Sequence, residues 1–340
     1  MTISKFKSLF WGGLLVFNLS GVLEAQDAVI KFATLAPEGS NWMKVMDELN
    51  ADLQKRTQGH LRFRLYPGGI SGDDKDVLRK IRIGELQAAG FTGVGLGLIA
   101  PKVRILDAPW LFKNVQELND IHKQFDPYFE KAFEKNGFEC LGFTDLGFVY
   151  LFSRDPLQGP DDMRRTKMWM WEGDPIAQAA FTALGVTPIP LSVIDVMSSL
   201  QTGLINAVYG PPLGVVALQW FTRTKYIYPV PLAYSSGAVL ISKRFFDSLP
   251  TDQQKILKDL SSVYLKKLTQ MTRAENQEAL QALEAQGLIL SPEPPASILA
   301  LYEKIGTQAR HSLVGKLYPA DLLIQIESTL SQLRAHPSKN

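Results

Sequence analysis

Short β-rich runs alternate with amphipathic helical patterns twice along this 340-residue chain, and that alternation implies a mainly parallel sheet covered by helices. In the first round VIKFATL (29–35) precedes a helix capped near Ser40, which puts Trp42, Met46, Leu49 and Leu53 on one face. LRFRLYPGG follows, with Leu61, Phe63 and Leu65 alternating before a Pro-Gly-Gly stop. A second helix starts near Asp73, uses Val77, Leu78 and Ile81, and stops at Gly84 before the strand QAAGF (87–91). The pattern restarts around Leu151. KMWMW (167–171) is a strand, 174–184 a helix, VTPIP a strand, and LINAVYG another. Between the last two, Ser192 and Asp195 have capping-box spacing, with aspartate in place of the usual glutamate.

Two such halves, with the chain returning to the first near AVLIS (238–242), make two lobes around a cleft, a periplasmic-binding-protein-like α/β fold. Residues 251–285 read as one long helix in the C-terminal half, uninterrupted by glycine or proline. Lobe I is expected over 26–148 plus about 237–270. Lobe II is expected over 149–236 plus about 271–335, with the C-terminal helices. Residues 1–25 read as a secretory signal peptide, with Lys5 and Lys7 before the apolar run Leu9–Leu19 and small or polar residues up to a cleavage point after Ala25. The apolar run is short for a membrane span, and no cysteine follows for lipid attachment.

A formal charge of +2 gives no reason to expect nucleic acid. The single cysteine, Cys140, lies in an apolar run and reads as a buried small hydrophobe, so no disulfide is available. His60, His122, His311 and His336 have no ligand spacing, and neither a metal nor a cofactor is expected. No nucleophile stands beside a histidine or in a recognisable elbow, which argues against an enzyme. GVGLG (93–97) imitates part of a nucleotide loop but lacks the lysine and the acidic residue that phosphate binding needs.

KMWMWEGDP (167–175) is a strand running into a Gly-Asp-Pro turn, with Trp169 and Trp171 on one face and Met168 and Met170 on the other. Together with KFATLAPEGSNW, LRFRLYPGG, LDAPWLFKN and FTALGVTPIPLSVIDVMSSLQTGLINAVYGPP, it resembles the DctP-type solute-binding proteins of tripartite ATP-independent periplasmic (TRAP) transporters. The resemblance covers essentially the whole chain after residue 25. It implies a periplasmic receptor that closes around a small molecule and delivers it to membrane permease subunits. It also implies an arginine clamping a carboxylate from the position of Trp169, a frequent basic or polar contact at Val149, and a polar turn where Val208, Tyr209 and Gly210 stand.

All three positions have turned apolar or aromatic here, and an unpartnered buried carboxylate is costly. The ligand is therefore expected to be apolar or amphipathic, lipid-like, sterol-like or aromatic, against walls of Trp169, Val149 and Tyr209. Trp171, Phe91, Thr92, Glu38, Asp145 and Gly210 complete the expected contacts. For Trp169 and Trp171 the competing reading is packing between strand and helix; for Trp42, core packing weighs more than ligand contact. An organic-acid ligand rebuilt around Lys167, Arg165 or Arg223 is the second reading, with Arg104 also able to project toward the cleft, and a periplasmic lipid carrier serving another envelope system is the third.

Overall fold

The first strand forms where Ile30 and Phe32 send β-favouring side chains into the interior (both 0 % exposed), and it ends where Pro37 and Gly39 break the run. The computed structural model describes residues 27–336; the expected signal peptide lies outside them. Ten strands are present among these residues: β1 Ala28–Thr34, β2 Leu61–Tyr66, β3 Ala88–Thr92, β4 Phe138–Ser153, β5 Trp169–Trp171, β6 Ile189–Leu191, β7 Ala207–Gly210, β8 Tyr226–Ile227, β9 Ala233–Ser242 and β10 Ile289–Leu290. The α-helices in chain order are α1 Asn41–Arg56, α2 Asp74–Arg82, α3 Gly93–Ile99, α4 Val115–Lys135, α5 Pro160–Arg164, α6 Pro175–Leu184, α7 Val196–Thr202, α8 Pro212–Ala217, α9 Lys243–Ser248, α10 Thr251–Ala285, α11 Ala296–Ser312 and α12 Ala320–Ala335.

One sheet runs β10-β8-β4-β9-β3-β1-β2, with β7 also pairing β4. β1 lies parallel between β2 and β3 in lobe I. β4 and β9 are antiparallel and long enough to pass between the lobes: Phe138 pairs with Ser242 at one end and Val149 with Ala233 at the other. Two register irregularities interrupt that ladder, at Cys140/Gly142 and Asp145/Gly147. In lobe II β4 pairs with β7 and β8, while β5 pairs in parallel with β6 and touches β7 through the Met168–Ala207 bridge.

The alternation in β5 separates two cores. Met168 and Met170 pack with Phe181 and Leu184, while Trp169 packs with Val208, Val215 and Trp220. Helix α10 joins the lobes: Leu257, Leu260, Leu265 and Leu268 pack with α1 and β1, and Leu283 packs with Val208 and Trp220. Helix α12 departs from the expected division. Its Leu322, Leu323, Ile326 and Leu330 pack with Phe125, Phe129 and Phe133 of α4, so the apolar stripe of α4 brings the chain end back to lobe I. Ser192 departs as well. Its hydroxyl caps no helix and instead donates to Asp73 Oδ2 across the lobes at 2.8 Å, while Asp73 Oδ1 caps α2. Among the described residues no helix is long and apolar enough to cross a membrane.

Candidate functional site

Carboxyl ends of parallel strands leave backbone and loops free to meet a ligand. Here the ends of β1 and β3 from one lobe and of β5 and β7 from the other open on a single interlobe cavity of about 420 Å³. β4, β9 and α10 form its back, through residues such as Asp145, Tyr234 and Glu275.

The lobe II wall is an aromatic panel. The Trp169 ring stacks on Tyr209 at 4.8 Å and 23°, meets Trp220 edge-on at 5.2 Å, and lies 6.1 Å from Trp171. Its indole nitrogen donates to the Leu191 carbonyl at 3.0 Å, and the backbone N–H of Trp171 donates to the Tyr209 hydroxyl at 3.1 Å. Trp169 is 1 % exposed, so it stands within the wall instead of projecting from it, and both readings of the residue describe it: core packing on one side and cleft lining on the other. Half-buried Trp42 is similarly double. It stacks on Phe32 with ring centroids 6.0 Å apart, and its far edge closes over Gly90 in the cleft.

A charged cluster adjoins the panel, with Arg104 and Asp174 both acting on Tyr209. Arg104, in the short 3-10 turn Pro101–Asp107, is 3 % exposed. Its Nη2 donates to Asp174 Oδ1 at 2.8 Å, and its Nε lies 3.1 Å from Asp107 Oδ2 without making a hydrogen bond. Asp174 comes from lobe II, where it caps α6 by accepting from the Ile176 N–H at 3.0 Å. Asp107 Oδ1 accepts from the Ser236 N–H at 2.8 Å. Burial works against the Arg104 charge, yet Asp174 and Asp107 more than offset it and hold the guanidinium above its ordinary pKa. Burial pushes Asp107 up to about 6 even with Arg104 opposing the shift. Tyr209 is raised by burial first and by Asp174 second, so its phenol is neutral. Asp145, 5 % exposed, accepts from the Tyr234 hydroxyl at 2.8 Å and pairs with Arg273 of α10.

Of the residues expected at the site, Trp169, Tyr209, Val149, Phe91, Thr92, Trp171, Asp145 and Gly210 all lie along this cavity. Glu38 does not: it sits exposed in the turn after β1, outside the lining. Lys167, Arg165 and Arg223 are exposed and also outside it. Lys167 donates to the Gly203 carbonyl at 3.2 Å, and Arg165 pairs with Asp162. Arg104, expected with Arg223 to be able to project toward the cleft, does line it; Asp107, Asp174 and Trp220 were not singled out as contacts from sequence. One signal did point to Arg104 and Asp107. Without side chains, Gly93 lets Asp107 approach, Gly97 lets the Arg104 methylenes approach, and Gly95 admits Phe91 and Asp74; a Cβ at Gly93 would lie 1.8 Å from Asp107 Oδ2. The GVGLG run is thus a seat for buried charge and not a phosphate loop.

Two lobes joined by β4, β9 and α10, with strand ends converging on one cavity, define a solute-binding receptor. A profile described as DctP, bacterial extracellular solute-binding protein, family 7, matches residues 32–312, and the chain belongs to that family. The C4-dicarboxylate-binding periplasmic protein DctP of Rhodobacter capsulatus is 25 % identical over 299 residues, covering 86 % of this chain and 88 % of that protein. The 2,3-diketo-L-gulonate-binding periplasmic protein YiaO of Escherichia coli is 24 % identical over 326 residues, covering 94 % and 97 %. The crystal structure of a TRAP periplasmic solute-binding protein from Citrobacter koseri with bound D-glucuronate superposes with a TM-score of 0.81 at 22 % identity, covering 90 % of this chain and 99 % of that one. The family consists of TRAP-type periplasmic receptors that bind their solutes and do not transform them.

Proposed function

We propose that this receptor captures an apolar or amphipathic molecule, lipid-like, sterol-like or aromatic in its body, and presents it to TRAP-type membrane subunits. The observation that carries the reading is the stacked panel of Trp169, Tyr209, Trp171 and Trp220 along the cavity. Flat aromatic faces reward apolar surface at about 25 cal/mol per Å² removed from water. The cavity volume of about 420 Å³ falls in the roughly 300–1,000 Å³ range of small-molecule sites. The relatives are described with anionic sugar acids and dicarboxylates, and Lys167, Arg165 and Arg223 stand too far out to rebuild an anchor for such ligands here. Contacts are assigned to Trp169, Trp171, Tyr209, Gly210, Val149, Phe91, Thr92 and Asp145.

Residues 1–25 act in this reading as a cleavable export signal that delivers the receptor to the periplasm. One experiment addresses both statements: native mass spectrometry of periplasmic protein purified without denaturant, followed by organic extraction. The expected result is a chain beginning at Gln26 that carries a lipid-like, sterol-like or aromatic compound. A co-purified small organic acid overturns the ligand assignment, and an intact leader overturns the export signal.

A further inference from the structure

The cavity lining contains a single arginine or lysine, and its surroundings decide which ligands can use it. A guanidinium is the natural seat for a carboxylate, because its planar fork matches two oxygens. Arg104 already has carboxylates of its own, Asp174 from one lobe and Asp107 from the other. The lining also carries Asp145 and Glu275. Asp145 is balanced by Arg273 behind it, whereas Glu275 is met by the uncharged amide of Asn41. The three buried carboxylates, Asp174, Asp107 and Asp145, against Arg104 and Arg273 leave one formal negative charge in excess. Glu275 adds to it from the more exposed edge, where Lys44 also bonds Asn41. An entering anion would have to sit among these charges in a poorly screened interior, or displace Asp174 and leave it buried without its partner.

We propose that Asp174 is the specificity-determining residue of this cleft: by binding Arg104 within the chain it takes the place a ligand's carboxylate would hold. It thereby turns the site away from organic acids and toward ligands whose head group is neutral or cationic. The inference rests on the reading of the cavity as the ligand site and specifies the chemistry of one end of that ligand. The aromatic panel holds the body, and an ammonium head gains from the excess carboxylates.

Asp174 has a second duty that supplies a clean variant. Its Oδ1 caps α6 and also accepts from Arg104 Nη2, so Asp174→Asn keeps the oxygen that both bonds use while removing the negative charge that neutralises Arg104. Three matched probes, 3-phenylpropionate, 3-phenylpropanol and 3-phenylpropylamine, would be titrated by calorimetry into the wild type, Asp174→Asn and Asp174→Asn/Arg104→Met. The wild type is expected to bind the alcohol or the amine at least tenfold more tightly than the carboxylate. Asp174→Asn should gain at least tenfold for the carboxylate, and the double variant should lose that gain. A wild type that binds the carboxylate best overturns this proposal and the apolar reading together, as does failure of all three probes. If the wild type prefers the alcohol or amine while Asp174→Asn gains nothing, or its gain survives Arg104→Met, only the role of Asp174 falls. The probe order on the wild type remains decisive if the single variant does not fold.

Discussion

The aromatic panel and the charged cluster of the cleft are built by opposite means. The lobe II panel is drawn from one lobe: Trp169 and Trp171 are two residues apart on β5, Tyr209 comes from β7, and Trp220 from the 3-10 turn after α8. Its stability is that of stacked rings filling volume. The charged cluster is assembled from distant positions, with Arg104 and Asp107 from one lobe, Asp174 from the other, and Asp145 and Arg273 from β4 and α10. It holds together because no member can leave without stranding another's charge in a buried place. A wall of rings tolerates many apolar guests, whereas a wall of paired charges selects mainly by exclusion.

The largest effect expected from breaking this contrast is on the panel. Trp169→Ala removes a 1 %-exposed indole from contact with Tyr209 and Trp220 and should cost about 4 kcal/mol of unfolding free energy, read by denaturant titration. A cost below about 1 kcal/mol would mean that the ring only borders the cavity. Next, Arg104→Met leaves Asp107 and Asp174 facing each other without their cation and should cost about 3 kcal/mol. That loss should shrink on acidification, because Asp107, already raised to about 6, can take up a proton; a loss independent of pH would argue that packing and not charge is at stake.

The smallest effect sharpens what burial does to the acids behind the glycine run. Asp74, raised to about 6 by burial, accepts from the Thr92 hydroxyl at 2.5 Å and the Gly95 N–H at 2.9 Å. Its carboxyl binds its proton more tightly in the folded chain than in the unfolded one, so folding takes up a proton between about pH 4 and 6, and acidification from pH 7 to 5 favours the folded state. By that linkage the wild type should gain about 1 kcal/mol over Asp74→Asn across the interval. Parallel melting curves of the two proteins would refute the assignment.

The contrast between panel and cluster also explains what could be read in advance. Elements whose pattern is local were legible, including the span of α10 from Thr251 to Ala285 and the face division of KMWMW. So was the aromatic character of Trp169 and Tyr209, because both stand where the resemblance calls for polar groups. Of the charged cluster only Asp145 and, less directly, Arg104 were legible, and their partners were not, since no spacing rule links positions 104, 107, 145, 174 and 273; only the fold brings them together. Ser192 shows the same limit from the other direction. Its capping-box spacing was present, but a partner 119 residues away, Asp73, captured its hydroxyl. The position of α12 was missed because an apolar helix stripe says that a partner exists and not which lobe supplies it.

Helix α10 has a mechanical consequence. Its 35 residues span roughly 50 Å, anchored in one lobe by the Tyr264 hydroxyl on Asp52 and near the other by Asn276, whose side chain accepts from the Leu213 N–H. Sharp helix kinks form almost only at proline, glycine or an inserted bulge, and this segment contains neither residue. It therefore acts as a splint laid along a joint. Any rocking of the lobes must be spread as gentle curvature over its whole length, and the stiffness of that one rod limits how wide the receptor gapes.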